Sequence, residues 1–511
     1  MLSQEVQNGK RLAKNTLLLY FRMFITMAVG LYTSRVILKN LGVEDFGIYN
    51  VVGGVVALFT TITGSLTAAI QRFLTFELGK NDVERLRKVF ASSVFVQFVL
   101  AVIIACIAEV AGTYFLNVKI NIPIDRLEAA RWVLHFSIIT FSINLVSVPY
   151  NATIIAHERM SVFAYVSIFE ALAKLGIAFS ISISPIDNLI FYAILMCIVA
   201  VIVRIIYGIY CKKSFNECSL FSMRWDKNIL KEIFGFAGWN FIGATSAILR
   251  DQGGNILLNL FFGPVVNAAR GIANQVNNAV SQFVTGFTTA LNPQITKSFA
   301  SNDHKYMMDL IYTGARLSFY MLMIVTLPVF FHSDFLLGIW LGNFPVQTTI
   351  FVQLILIFTL SESISGPLIT AMLATGKIRD YQLLVGGLQM LNLPVSYILL
   401  RNAFPAEYVL IVAIVISQCC FFARIFMLKK MIGLSIREFL TKVYFNVLFV
   451  MAIASTVPLI MTTTLQENMA NFIMSAVVSV LWSTGCVYLL GCSSKERKFV
   501  IGKIKEKLNY A

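Results

Sequence analysis

Residues 89–114 read VFASSVFVQFVLAVIIACIAEVAGTY, with one charged residue, Glu109. A helix rises 1.5 Å per residue, so a run of about 20 apolar residues crosses the roughly 30 Å hydrocarbon core of a bilayer. This stretch is long enough to do so. A soluble helix of that length would show a solvated face, and none is present.

The same pattern recurs outward in both directions. Apolar runs bounded by charge, Gly or Pro fall at 15–38, 46–70, 89–114, 131–155, 161–183, 188–211 and 233–261, then at 265–291, 308–331, 346–374, 380–400, 406–428, 440–463 and 469–491. Fourteen spans are therefore predicted, and the fold class is an all-α integral membrane protein. Composition agrees: 58% of residues are hydrophobic and 13% charged, against about 45–50% and about 25% in soluble domains. Connections are too short for a soluble catalytic domain, so any function must reside within the bundle.

A net charge of +15 would suit a nucleic-acid partner, but its distribution points elsewhere. The basic clusters Lys10-Arg11-Lys14, Arg85-Arg87-Lys88, Lys212-Lys213, Lys429-Lys430 and the tail from Lys495 to Lys507 recur at every second connection. That alternation fixes topology, with both termini cytoplasmic, and no nucleic acid is expected. The tail reads as a basic stop signal or a short amphipathic helix on the anionic inner leaflet. The first span is too long for a signal-peptide core and is expected to be retained. The eight cysteines lie in apolar runs or inner connections and read as packing residues.

A faint repeat divides the chain. Ile37-Leu38-Lys39-Asn40-Leu41 closes the first span, and Ile256-Leu257-Leu258-Asn259-Leu260 closes the seventh. Two six-span lobes at 1–215 and 216–430 follow, with 431–511 appended as two further spans and the tail.

Polar groups inside spans are costly and mark cavities or partners. Asn267, Arg270, Asn274, Asn277, Asn278, Ser281, Thr285, Thr288 and Asn292 step by three and four along the eighth span, one stripe of a helix. Asn50, Gly53, Gly54, Thr61, Ser65 and Gln71 trace a weaker stripe on the second. The eighth span is assigned to a hydrated cavity; for the second, packing between helices serves as well. Arg22, Arg35, Arg250 and Arg270 lie within spans, where guanidiniums suit phosphate oxygens. They are the candidate substrate-binding set, with Asn274 and Asn278. Arg316 and Arg424 are expected to snorkel from span ends. Glu170 and Lys174, at i and i+4, form a predicted buried ion pair. Asp251, beside Gly253-Gly254, and Glu362, with no cation nearby in sequence, are candidate ion-coupling groups.

No phosphate-binding loop is present, since Thr375-Gly376-Lys377 lacks the earlier glycine. His135, His157, His304 and His332 are scattered, so neither a metal nor another cofactor is expected, and no nucleophile–base signature stands out.

The basic N-terminus, Asn15-Thr16, Arg22, Arg35 and the run Asn40-Leu41-Gly42-Val43-Glu44-Asp45-Phe46-Gly47-Ile48-Tyr49 resemble polysaccharide transporters of the Wzx type. These are the O-antigen or capsule-repeat flippases of the MOP superfamily, to which the MATE-like carriers belong. The resemblance implies a V-shaped bundle of two lobes working by alternating access, not an enzyme. It implies as substrate an undecaprenyl-pyrophosphate-linked oligosaccharide, moved from the cytoplasmic to the periplasmic leaflet of a bacterial inner membrane. A cationic cavity formed by Arg22, Arg35, Arg250 and Arg270 would receive the pyrophosphate. Implied partners are the bilayer, a polysaccharide polymerase and chain-length machinery. The rivals are a lipid II flippase, a cation-coupled multidrug exporter of the same superfamily, and a membrane-embedded polysaccharide-modifying enzyme.

Overall fold

The computed structural model describes residues 2–57, 60–118, 123–218, 226–342, 344–466, 468–494 and 496–497. Among them the backbone is helical and connected by short turns, with no strand. The basic tail from Lys495 onward falls largely outside the described residues.

The chain divides into two compact units, the first comprising Met1–Ala244 with Thr296–Asn302, the second Thr245–Ile295 with Asp303–Ala511. Unit 1 holds α1 (Leu2–Ala57), α2 (Thr60–Lys80), α3 (Val83–Val118), α4 (Leu127–Ala156), α5 (Met160–Ser180) and α6 (Asn188–Ser214). It also takes the start of α7 (Lys227–Phe262) and the end of α8 (Pro264–Ala300). At its centre α4 packs against α2, α3 and α6, while α1 lies along α5. Ala129, Ala130, Ser147, Ala152 and Ala156 are buried on α4. Such small residues allow helices to approach closely where lipid supplies no hydrophobic drive.

The sequence predicted a turn near 39–45, but the backbone stays helical through it to Ala57. Asn40 donates to the Ala178 carbonyl at 2.8 Å instead of bonding its own backbone. Asp45 accepts from Arg126 Nε at 2.8 Å, and Arg126 Nη1 donates to Asp187 at 2.6 Å. Asp187 also caps α6 by accepting from the Leu189 and Ile190 amides. With Asn40 and Asp45 engaged by neighbours and no proline present, Gly42, at about 1 kcal/mol, is the main residue in 39–45 acting against helix.

Unit 2 holds the remainder of α7 and α8, α9 (His304–Phe331), α10 (Ser333–Leu341), α11 (Thr348–Ser363), α12 (Ser365–Thr375), α13 (Arg379–Met390), α14 (Asn392–Arg401) and α15 (Tyr408–Ile432). It ends with α16 (Ile436–Phe439), α17 (Phe445–Ala454), α18 (Thr456–Thr464) and α19 (Met469–Cys486). Here α9 contacts α11, α12 and α19, and α15 contacts α11 to α14. Gly263, at φ +78°, ends α7, and Pro264 opens α8, where its missing N–H is not needed. The α11–α12 pair is bent by 43° just after Glu362.

Nine helical stretches are long and apolar enough to cross a membrane, or ten if the bent pair is one span, among the described residues. The chain is a multi-pass membrane protein. The predicted count of fourteen exceeds this number. Two of the predicted spans, α7 and α8, are long enough but too polar to pass that test, and their polarity builds the site described next.

Candidate functional site

Arg250 and Asp251 stand on α7, and Arg270, Asn274, Asn277 and Asn278 on α8. All six line a cavity of about 310 Å³ within unit 2, closed by α11, α14 and α15. Positions 270, 274, 277 and 278 share one helix face because 3.6 residues make a turn. Four of the nine predicted stripe residues thus line the cavity, and the stripe splits in use. Asn277 accepts from the Thr359 hydroxyl, and Asn292 accepts from Thr370 at 2.9 Å, so these two amides bind α8 to α11 and α12. Asn274 and Asn278 line the cavity and make no side-chain hydrogen bond among the described residues. The Asn267 side chain lies outside the described residues.

The three charges are arranged unequally. Arg250 grips its neighbour Asp251 through Nε at 2.9 Å and Nη2 at 3.2 Å, and its guanidinium lies 5.0 Å from the centre of the Phe358 ring. Arg270 is 5% exposed and has no carboxylate of its own among the described residues. Its Nη2 reaches the Asp251 carbonyl at 3.4 Å, while Nε and Nη1 have no hydrogen-bond partner among the described residues. Guanidinium carries five N–H donors in a rigid fork, so most of this one's capacity is unspent. A buried, unmatched cation is destabilising by several kcal/mol, and an anion entering the cavity would relieve that.

Gly254 makes this placement possible. A Cβ there would stand 2.8 Å from Arg270 Nη1 and 3.0 Å from Nη2. At Gly253 a Cβ would meet Leu393 Cδ1 at 2.4 Å, so the paired glycines let the Arg270 guanidinium and α14 approach α7. Asn392 and Ser396 of α14 also line the cavity. The sequence reading passed over both, although Asn392 beside Pro394 in mid-span was a usable signal.

The other predicted residues sit elsewhere. Arg22 belongs to unit 1, with its guanidinium 4.4 Å from the centre of the Phe163 ring and Tyr207 and Glu170 within electrostatic reach. The Arg35 side chain lies outside the described residues, as do those of Asn50 and Thr61 on the weaker stripe. Glu170 and Lys174 are 2.6 Å apart, but their side chains are 39% and 40% exposed. That pair lies on the surface of unit 1 rather than buried in it.

Glu362 was expected to lack a cation, and Arg424 to snorkel. Instead Arg424 is 1% exposed and stands 3.7 Å from Glu362, which also accepts from the Ser417 hydroxyl. Their separation in sequence, and the unknown facing of each helix, hid this pair. Arg316 likewise pairs with Glu496 at 2.7 Å. Among the described residues no cluster of three or more His, Cys, Asp or Glu could hold a metal ion.

Residues 12–299 match the profile of a family described as polysaccharide biosynthesis protein. An uncharacterized membrane protein of Bacillus subtilis (strain 168), EpsK, is 19% identical over 62% of this chain; the match spans 63% of that relative's length. A multidrug resistance MATE family transporter of the MOP superfamily, solved in an outward-facing conformation, aligns with a TM-score of 0.71 at 12% identity, covering 82% of this chain and 96% of its own. A MOP superfamily transporter from Pyrococcus furiosus, described as having a binding pocket of reverse polarity, aligns with a TM-score of 0.68 at 12% identity, covering 82% of this chain and 96% of its own.

Proposed function

Because the chain belongs to the polysaccharide biosynthesis protein family and has the fold of MOP-superfamily transporters, we propose that it moves an undecaprenyl-pyrophosphate-linked oligosaccharide between leaflets. The observation that carries this reading is the unit 2 cavity, where Arg270 has unspent donors beside the Arg250–Asp251 pair and two uncommitted amides. A pyrophosphate offers paired oxygens to a guanidinium fork, and asparagines suit sugar hydroxyls. Two guanidiniums against one carboxylate leave the cavity cationic, which disfavours the cationic cargo of a multidrug exporter. A lipid II flippase would share the same charge logic, and the sugar separates the two.

In this reading the lobes 1–215 and 216–430 alternate access around the cargo, and 431–511 is appended. The protein sits in a bacterial inner membrane with both termini cytoplasmic, feeding a polysaccharide polymerase and its chain-length machinery. Arg22 and Arg35 are assigned to the same cargo, Asn274 and Asn278 to its sugars, and Asp251 and Glu362 to ion coupling. The test is surface polysaccharide in a flippase-null strain carrying the chain with Arg270→Ala or Arg270→Lys, with membrane insertion measured in parallel. Inserted R270A is expected to abolish polysaccharide, with R270K restoring part of it. Full polysaccharide from R270A would overturn the assignment.

A further inference from the structure

Unit 1 carries a second feature, which the transport reading does not use. A groove of about 400 Å³ runs between α3 and α4 and is almost wholly apolar, with Arg204 of α6 at one end. Its hollow comes from small residues, Ala101 and Ala105 on α3 facing Ser142 on α4, while Phe98, Val102 and Ile139 stand exposed along it. The Ser142 hydroxyl donates to the Ile138 carbonyl at 2.8 Å and so adds no free polar group. Buried Ile104 and Leu145 pack beneath Ala101.

All three helices lie within candidate membrane spans, and a groove edged by exposed Phe98, Val102 and Ile139 suits a lipid chain. Arg204 is then out of place. No ion pair to it is present among the described residues, and its guanidinium lies 3.7 Å from the centre of the Tyr150 ring. A guanidinium at the protein–lipid surface is costly unless something receives its charge. Its direction is informative. Side chains on helices ordinarily lean toward the N-terminus, but Arg204 Nη1 comes within 2.8 Å of where a Gly208 Cβ would be. The glycine leaves room for the guanidinium to turn toward Lys212-Lys213, the charged end of α6 and the headgroup level of the adjoining leaflet.

We infer that this groove is a binding site for one glycerophospholipid, with its phosphate on Arg204 and an acyl chain lying over Ala101 and Ala105. Charge complementarity requires a phosphate-headed lipid rather than a neutral one. The stretch from Phe98 to Ala105 is roughly 10 Å of helix, enough to seat part of one acyl chain. The site rests only on the membrane location of unit 1, and it stands or falls separately from the cargo assigned to unit 2.

The full chain, purified in detergent, would be titrated with phosphatidylglycerol and read by native mass spectrometry, beside diacylglycerol and undecaprenyl phosphate. The expected result is one retained phosphatidylglycerol where diacylglycerol gives none. R204Q should lower retention about tenfold, as loss of a charge-assisted phosphate contact does. A105F should do the same by filling the seat while leaving Arg204 on Tyr150, so it serves if R204Q folds poorly. R204K should keep part of the binding. Wild-type retention in A105F, equal binding of diacylglycerol, or displacement of phosphatidylglycerol by equimolar undecaprenyl phosphate would each overturn the site.

Discussion

One set of two cations and one carboxylate in each unit, Arg22, Lys174 and Glu170 in unit 1 and Arg250, Arg270 and Asp251 in unit 2, can be compared directly, and the two are organised differently. In unit 1, Glu170 and Lys174 satisfy one another one turn apart on α5, half-exposed, with Arg22 against an aromatic ring nearby. In unit 2, Arg250 and Asp251 satisfy one another as neighbours, and Arg270 is left enclosed with donors to spare. The charges are alike in sign and number, so charge count alone does not make a site. What distinguishes unit 2 is that the unspent donors of its guanidinium line a cavity walled by five helices. In such surroundings a hydrogen bond to an anion is worth more than the same bond in water.

The comparison can be broken at several points. The largest expected effect is on stability, at the buried pair that unit 1's trio does not match. Arg424→Leu leaves the Glu362 carboxylate without its cation and should destabilise the protein by about 3 kcal/mol, read as a lower thermal midpoint in detergent. Adding Glu362→Gln should recover part of that loss. An unchanged midpoint in R424L would mean that the pair contributes nothing. Next, Arg270→Ala should cut transport of lipid-linked oligosaccharide in proteoliposomes by about tenfold to a hundredfold, with Arg270→Lys between, since an ammonium lacks the planar fork. Gly254→Val places atoms where the Arg270 guanidinium lies and should slow transport by roughly several-fold without removing a charge. A wild-type rate would show that the guanidinium's position is unimportant. The smallest effect belongs to unit 1. Lys174→Ala should change stability by less than about 1 kcal/mol, because half-exposed ion pairs contribute little. A loss of transport as large as that of R270A would erase the distinction between the units.

Much of this was legible in the residues. Apolar runs marked most of the spans, and the three-and-four spacing from Arg270 to Asn292 placed a polar face on α8 before any coordinates. Gly263-Pro264 marked the break between α7 and α8. What could not be read depended on which face of a helix met which neighbour. Arg424 near a span end looks like a snorkelling residue by hydropathy, yet it is 1% exposed and paired across 62 positions with Glu362. The continuous helix through 39–45 depends on Ala178, Arg126 and Asp187, all remote in sequence. The division of the α8 amides into packing and lining residues depends on Thr359 and Thr370. Periodicity finds a face but not the partner that uses it.

The central claim is that the unit 2 cavity receives a pyrophosphate through Arg270. Its most direct test is the affinity of the purified chain for a short-chain polyprenyl-pyrophosphate-linked sugar, measured by calorimetry on wild type, R270A and K174A. The account predicts that R270A weakens binding by about tenfold or more, that K174A leaves it near wild type, and that free pyrophosphate competes. Wild-type affinity in R270A, with the protein folded, would contradict it.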